Sequence, residues 1–285
     1  MPYRGFTQEE LNFQYNPRLS VPENEVWKAH WTLASNWARG QLGGKLRIPY
    51  GPTDGQTLDI FPANAPGSPI NIFVHGGFWQ FLDSFDHTLV APVVVESGGT
   101  SVLLNYDLCP KVTLVEVIAQ VRSAVKWVWE HAEEMNGDPD KIYISGHSAG
   151  GHLASMLCTG DYQADLGLPD DVIKGGTIVS AMLDLEPILE VPMCENLSVT
   201  PDMVPAVSPI HTPPDPRVPI IIAVGARETS EWIRQTDEMA EVLKKQGSPT
   251  IYLKPDYDQH YSILFSLGNP MTEVCSEMLK QMDLA

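Results

Sequence analysis

Lys141-Ile142-Tyr143-Ile144-Ser145-Gly146-His147-Ser148-Ala149-Gly150-Gly151-His152-Leu153 is the stretch from which the rest of the chain can be read. Residues 141–145, centred on Ile142, Tyr143 and Ile144, read as a strand. Leu153, Met156 and Leu157 then fall where a following helix would pack inward. Between them stands G-x-S-x-G. Its glycines permit a sharp strand-to-helix turn that leaves Ser148 exposed at the sheet edge. The helix N-terminus below supplies amide donors and a partial positive charge suited to an oxyanion. In that setting Ser148 is the candidate nucleophile.

Working outward, short β-branched or aromatic runs at 45–49, 57–61, 70–74, 101–105, 176–180, 219–224 and 250–253 read as further strands. Helical patterns separate many of them. Leu114, Ile118, Val121, Val125 and Val128 are spaced four, three, four and three apart and share one helix face. Another helix is bounded by Ser230 and Gly247, with Trp232, Thr236, Met239 and Leu243 on one side, and a last one begins at Thr272. Apolar strands between amphipathic helices indicate an α/β fold: a mostly parallel sheet covered by helices on both faces, with ligand chemistry in the loops after the strands.

Those loops hold the remaining candidates. His75-Gly76-Gly77-Phe78-Trp79 follows strand 70–74, and its paired glycines let backbone amides face a developing negative charge. The expected donors are the amides of Gly76, Gly77 and Ala149, with Phe78 a further option, while His75 is expected to brace the loop. Of eight histidines, His260 follows a strand through a polar loop and is the candidate base; His147 and His152 sit on or below the turn. The acid is expected between serine and histidine in chain order. Glu228, just after strand 219–224, fits best, with Asp184 as competitor and Asp256 and Asp258 less well placed. Phe78, Trp79, Phe81 and Tyr261 are candidate substrate-binding aromatics that could equally be core.

Composition narrows the classes. The 285 residues contain 43% hydrophobic side chains, enough for one sizeable core, and no linker or repeat divides them. A single domain over residues 1–285 is expected, its N-terminal helical segment (1–44) packed on the body or partly covering the site. Trp27, Trp31 and Trp37 are the candidate packing residues there. A formal net charge of −18 disfavours nucleic acid. No secretory signal or apolar stretch long enough to span a bilayer is seen, and four scattered cysteines suit reduced thiols, so a cytoplasmic protein with no membrane partner is expected. Neither H-E-x-x-H nor paired-cysteine metal ligands occur, nor a phosphate-binding glycine motif, so no metal and no cofactor are expected. A homodimer is left open.

The chain resembles the kynurenine formamidase (arylformamidase) branch of the α/β-hydrolase-fold esterases. The matching segments are Tyr15-Asn16-Pro17, Thr57-Leu58-Asp59-Ile60-Phe61-Pro62, His75-Gly76-Gly77-Phe78-Trp79-Gln80, Asn105-Tyr106-Asp107-Leu108, the Ser148 stretch and Asp184-Leu185-Glu186-Pro187. The resemblance implies an α/β-hydrolase fold and a catalytic triad of Ser148, Glu228 and His260. It also implies hydrolysis of N-formylkynurenine, an aromatic small-molecule substrate. A broad carboxylesterase is the second expectation, and a non-catalytic binding protein of the same fold the third.

Overall fold

The computed structural model describes residues 3–285. Eight strands form one sheet: β1 Lys45–Pro49, β2 Thr57–Phe61, β3 Ser68–Val74, β4 Thr100–Leu104, β5 Gly137–His147, β6 Ile173–Val179, β7 Ile220–Ala223 and β8 Thr250–Leu253. Their order is β1-β2-β4-β3-β5-β6-β7-β8. The pairs β1–β2 and β2–β4 are antiparallel, and every pair from β4 to β8 is parallel. This is the α/β-hydrolase fold.

Side chains alternate across the sheet as strand geometry requires. Ile70, Ile72, Val74, Ile142, Ile144, Ile220 and Ile222 enter one core, while Phe73, Tyr143 and Ile221 enter the other. Three helices cover the first face: Leu114–Glu130, Ala149–Leu157 and Ser230–Lys245. The first of these starts at a capping box in which Thr113 and Glu116 satisfy each other's end of the helix, and its buried stripe includes all five residues of the spacing argument. Asn24–Gln41, Ala91–Glu96 and Glu273–Gln281 pack on the opposite face.

Two expectations shift. β5 is longer than 141–145, and β6 starts at Ile173 rather than Gly176, because pairing with its neighbours holds Gly175 and Gly176 in the sheet despite their low β-propensity. Of the three tryptophans, Trp31 is buried and Trp27 is half-buried against Phe265, but Trp37 is 60% exposed. Among the described residues no helix is long and apolar enough to cross a membrane.

The N-terminal segment is tied to the body by polar contacts. The Tyr15 hydroxyl donates to Glu231 at 2.7 Å, and the Tyr3 hydroxyl donates to Asp184 at 3.0 Å. Arg234 pairs with Glu231 at 2.8 Å and completes the network. Trp31 donates from its indole to the Tyr261 carbonyl at 3.1 Å.

Candidate active site

Ser148 sits between the end of β5 and the helix Ala149–Leu157 with φ 59° and ψ −124°. For a residue with a Cβ this conformation costs about 1–3 kcal/mol and persists only where the surroundings impose it. The imposition is visible at Gly146, where an added Cβ would lie 2.2 Å from the Gly150 carbonyl oxygen. The turn is that tight because strand and helix meet almost without a loop.

The three candidate residues converge. The Ser148 hydroxyl lies 3.0 Å from His260 Nε2, and His260 Nδ1 lies 2.7 Å from Glu228 Oε2. Glu228 Oε1 accepts from the Ser180 hydroxyl at 2.5 Å and from the Gly225 amide at 2.9 Å. The Glu228 side chain is fully buried. The Trp232 ring packs 4.5 Å from the His260 imidazole, and the His260 carbonyl accepts from His147 Nε2 at 2.8 Å. The base is thus held by its backbone, its ring face and its far nitrogen. Ser180, at φ 46° just past β6, and Trp232 were not read from the sequence as site residues. Their only signal there is position: one follows a strand end, and the other lies one helical turn after Glu228.

Gly76 and Gly77 line the cavity beside Ser148, and a Cβ at Gly76 would touch the Ser148 Cβ at 3.0 Å. Gly77 has φ 112°, where a side chain is strained, and an added Cβ there would lie 2.0 Å from the Phe81 carbonyl oxygen. Among the described residues the amides of Gly76, Gly77, Phe78 and Ala149 are engaged by no backbone carbonyl. His75 holds the loop from beneath. Its Nδ1 donates to the Gly76 carbonyl at 2.7 Å and its ring stacks on Tyr106 at 4.4 Å. Burial, reinforced by His87, drives the His75 pKa down to about 3, so it stays neutral.

The cavity over Ser148 measures about 70 Å³. Phe78, Phe81 and Tyr261 line it; Trp79 does not. The expectation of Trp79 as a substrate-binding residue is corrected. Its ring is fully buried and its indole donates to His152 Nδ1 at 3.2 Å. Phe78 and Trp79 both have positive φ, so the loop doubles back and sends the second ring into the core. Asp184 is occupied by Tyr3 and Arg234, and Asp258 by the hydroxyls of Ser262 and Ser266; neither approaches His260 as Glu228 does. Residues not read from the sequence as lining are Leu82, His87, His147, Trp31, Pro17, Arg18 and Lys28, the last four from the N-terminal segment. Among the described residues no cluster of three or more histidine, cysteine or carboxylate groups is placed to hold a metal ion.

A serine, imidazole and carboxylate in this order, beside unengaged amides, can carry out acyl transfer. A family model described as BD-FAE matches residues 58–256, a span that runs from β2 past β8 and includes Ser148 and Glu228. The chain belongs to the BD-FAE family. This BD-FAE protein is 29% identical to the kynurenine formamidase of Danio rerio, over 93% of its own length and 93% of that protein. It is also 29% identical to esterase LipQ of Mycobacterium tuberculosis, over 72% of its own length and 53% of that protein. Esterase B from Lactobacillus rhamnosis superposes with a TM-score of 0.74 at 18% identity, covering 97% of this chain and 95% of that one, which bears on the fold. The BD-FAE protein is a serine hydrolase of the α/β-hydrolase fold.

Proposed function

We propose that the protein hydrolyses N-formylkynurenine to kynurenine and formate through an acyl-enzyme on Ser148. His260 takes the Ser148 proton as the hydroxyl oxygen attacks the formyl carbon. The amides of Gly76, Gly77 and Ala149 hold the resulting oxyanion. Protonated His260, oriented by Glu228, gives its proton to the departing aniline nitrogen. Water, deprotonated by the same imidazole, then releases formate and restores the serine.

One observation carries the choice of a small acyl group: the cavity over Ser148. A water molecule needs roughly 10–15 Å³ on this measure, so the cavity has room for only a few heavy atoms. A formyl or acetyl group fits there. An aromatic leaving group would extend outward between Phe78, Phe81 and Tyr261. The similarity to a kynurenine formamidase over nearly the whole chain supports the formyl reading. The similarity to an esterase favours a second one, a carboxylesterase for short-chain aryl esters. The four cysteines are buried and unbridged, which supports a reducing compartment such as the cytoplasm.

The deciding experiment compares kcat/KM on N-formylkynurenine and on phenyl acetate, with wild type and Ser148→Ala. The formamidase reading expects a preference for formylkynurenine of about a hundredfold or more, abolished in the variant. A preference for the ester that is likewise abolished in the variant would replace it with the esterase reading. Activity that survives Ser148→Ala would overturn both.

A further inference from the structure

The sequence holds 36 acidic residues and 18 lysines and arginines, yet the charged side chains lining the cleft of Ser148, histidines aside, are Arg18 and Lys28, with no carboxylate among the lining residues. Both come from the N-terminal segment, remote in sequence from the triad. Arg39 and Arg227, away from the cleft, lie over Phe85 and Tyr257, whereas Arg4, Arg47, Arg122, Arg217 and Arg234 each pair with a carboxylate. Among the described residues Arg18 does not; its guanidinium lies over the Phe81 ring, 4.6 Å from the centroid. Stacking fixes the plane of the group while its N–H edge stays available for a planar anion. Lys28 carries one exposed partner, Glu25, at 2.5 Å. A carboxylate entering the cleft would compete with Glu25 for that ammonium.

The inner wall has the opposite character. His87 Nδ1 lies 2.8 Å from the Asp83 carbonyl, and His147 Nε2 lies 2.8 Å from the His260 carbonyl. A carbonyl only accepts, so those nitrogens carry the ring hydrogens. His87 Nε2 and His147 Nδ1 are then bare lone pairs, both buried and without a partner among the described residues. Burial holds both rings below the ordinary histidine pKa, so they remain neutral. Lone pairs repel a carboxylate and welcome an N–H or O–H. The two neutral rings thus leave Arg18 and Lys28 as the charged groups of a cleft otherwise walled largely by aromatic side chains.

From this juxtaposition we infer that Arg18 and Lys28 are specificity-determining residues that bind a carboxylate on the leaving-group side of the substrate. The enzyme's substrate class is then aryl amides or esters bearing a negative charge on the part that departs. The inference rests on Ser148 as the reacting group, but it concerns the leaving group and holds for a formamide or an ester.

The test uses the full-length enzyme with 3-acetoxybenzoate and phenyl acetate, whose leaving phenols are similarly acidic. Wild type is expected to favour the anionic ester by at least about tenfold in kcat/KM, the scale of one hydrogen bond to a charged group, with KM carrying the difference. That ratio should fall toward one in Arg18→Gln/Lys28→Gln and in wild type at high salt, which screens charge. The charge-reversed Arg18→Glu/Lys28→Glu should instead gain on 3-(trimethylammonio)phenyl acetate, a gain that misfolding cannot produce. A wild-type ratio of one or less, or a ratio unchanged in both double variants, would overturn the inference. If formylkynurenine is untouched while the ester ratio behaves as stated, the formamidase reading fails and this one stands. If formylkynurenine is the preferred substrate but its methyl ester is cleaved equally well, the reverse holds.

Discussion

Glu228→Gln removes one charge and adds two hydrogens, and the geometry dictates where they go. Oε1 accepts from Ser180 at 2.5 Å and from the Gly225 amide at 2.9 Å, whereas Oε2 faces only His260 Nδ1 at 2.7 Å. The Gly225 amide can only donate, so the glutamine oxygen must keep the Oε1 place. Its NH2 group is then turned on Nδ1, which can accept only if its own proton has moved to Nε2. That proton would point at the Ser148 hydroxyl, 3.0 Å away, and the imidazole could no longer take the serine proton. Loss of the productive tautomer in such a triad costs about 10⁴ in kcat, or about 5.4 kcal/mol at 1.36 kcal/mol per factor of ten. Phenol release from phenyl acetate measures kcat directly, with circular dichroism to verify the fold. Ser180→Ala, which removes one of the two donors to Oε1 and leaves the carboxylate, should cost no more than about tenfold. If Glu228→Gln stayed within tenfold of wild type, the tautomer argument and the assignment of Glu228 as orienter would both be wrong.

Two further predictions concern stability. Burial lowers the pKa of His75 to about 3 and that of His152 to about 4, from an ordinary 6.5. Between those values and 6.5 the unfolded chain binds the protons and the folded chain refuses them, so stability is full above pH 6.5 and falls as pH drops. At pH 5 each histidine costs about 2 kcal/mol relative to pH 7, and Tm should fall by about 10 °C; an unchanged Tm between pH 7 and 5 would refute the neutral buried assignment. Gly146→Ala should destabilise by about 3 kcal/mol or more, because its Cβ would meet the Gly150 backbone 2.2 Å away. Gly43→Ala, with nothing within 4 Å, is the matched control in the same thermal scan.

What could be read in the sequence was whatever local chemistry decides. β-branched runs gave the strands, and glycines flanking a serine gave the turn, because only such a turn needs residues without Cβ there. His260 and Glu228 were legible through their place after β8 and β7. The antiparallel pairing of β1 and β2 was not, since alternation within a strand says nothing of its direction. Trp79 was misassigned for a related reason: it adjoins Phe78, but two successive positive φ values turn its ring inward, and no periodicity announces such a loop. His87, His147 and Trp232 matter through contacts with residues more than fifty, more than one hundred and about thirty positions away, respectively (Trp31, His260 and His260 again), or through a cavity those contacts enclose. Nothing local marks them.

The same distinction separates the two halves of the site. The reacting atoms come from strand ends, where the sheet places them rigidly, and the 3.0 and 2.7 Å contacts of His260 need nothing from the N-terminus. The walls do need it. Trp31 packs against Tyr261, His87 and His147 at ring separations of 5.3–5.9 Å, and Arg18 and Lys28 stand at the mouth. That wall is anchored at a distance, where Tyr15 meets Glu231 on the helix that follows Glu228. A substitution in the anchor would therefore loosen the cleft and blur substrate choice while leaving Ser148, His260 and Glu228 in register. On the inference drawn from Arg18 and Lys28, the N-terminal segment contributes to substrate selection while bond cleavage rests on the strand ends.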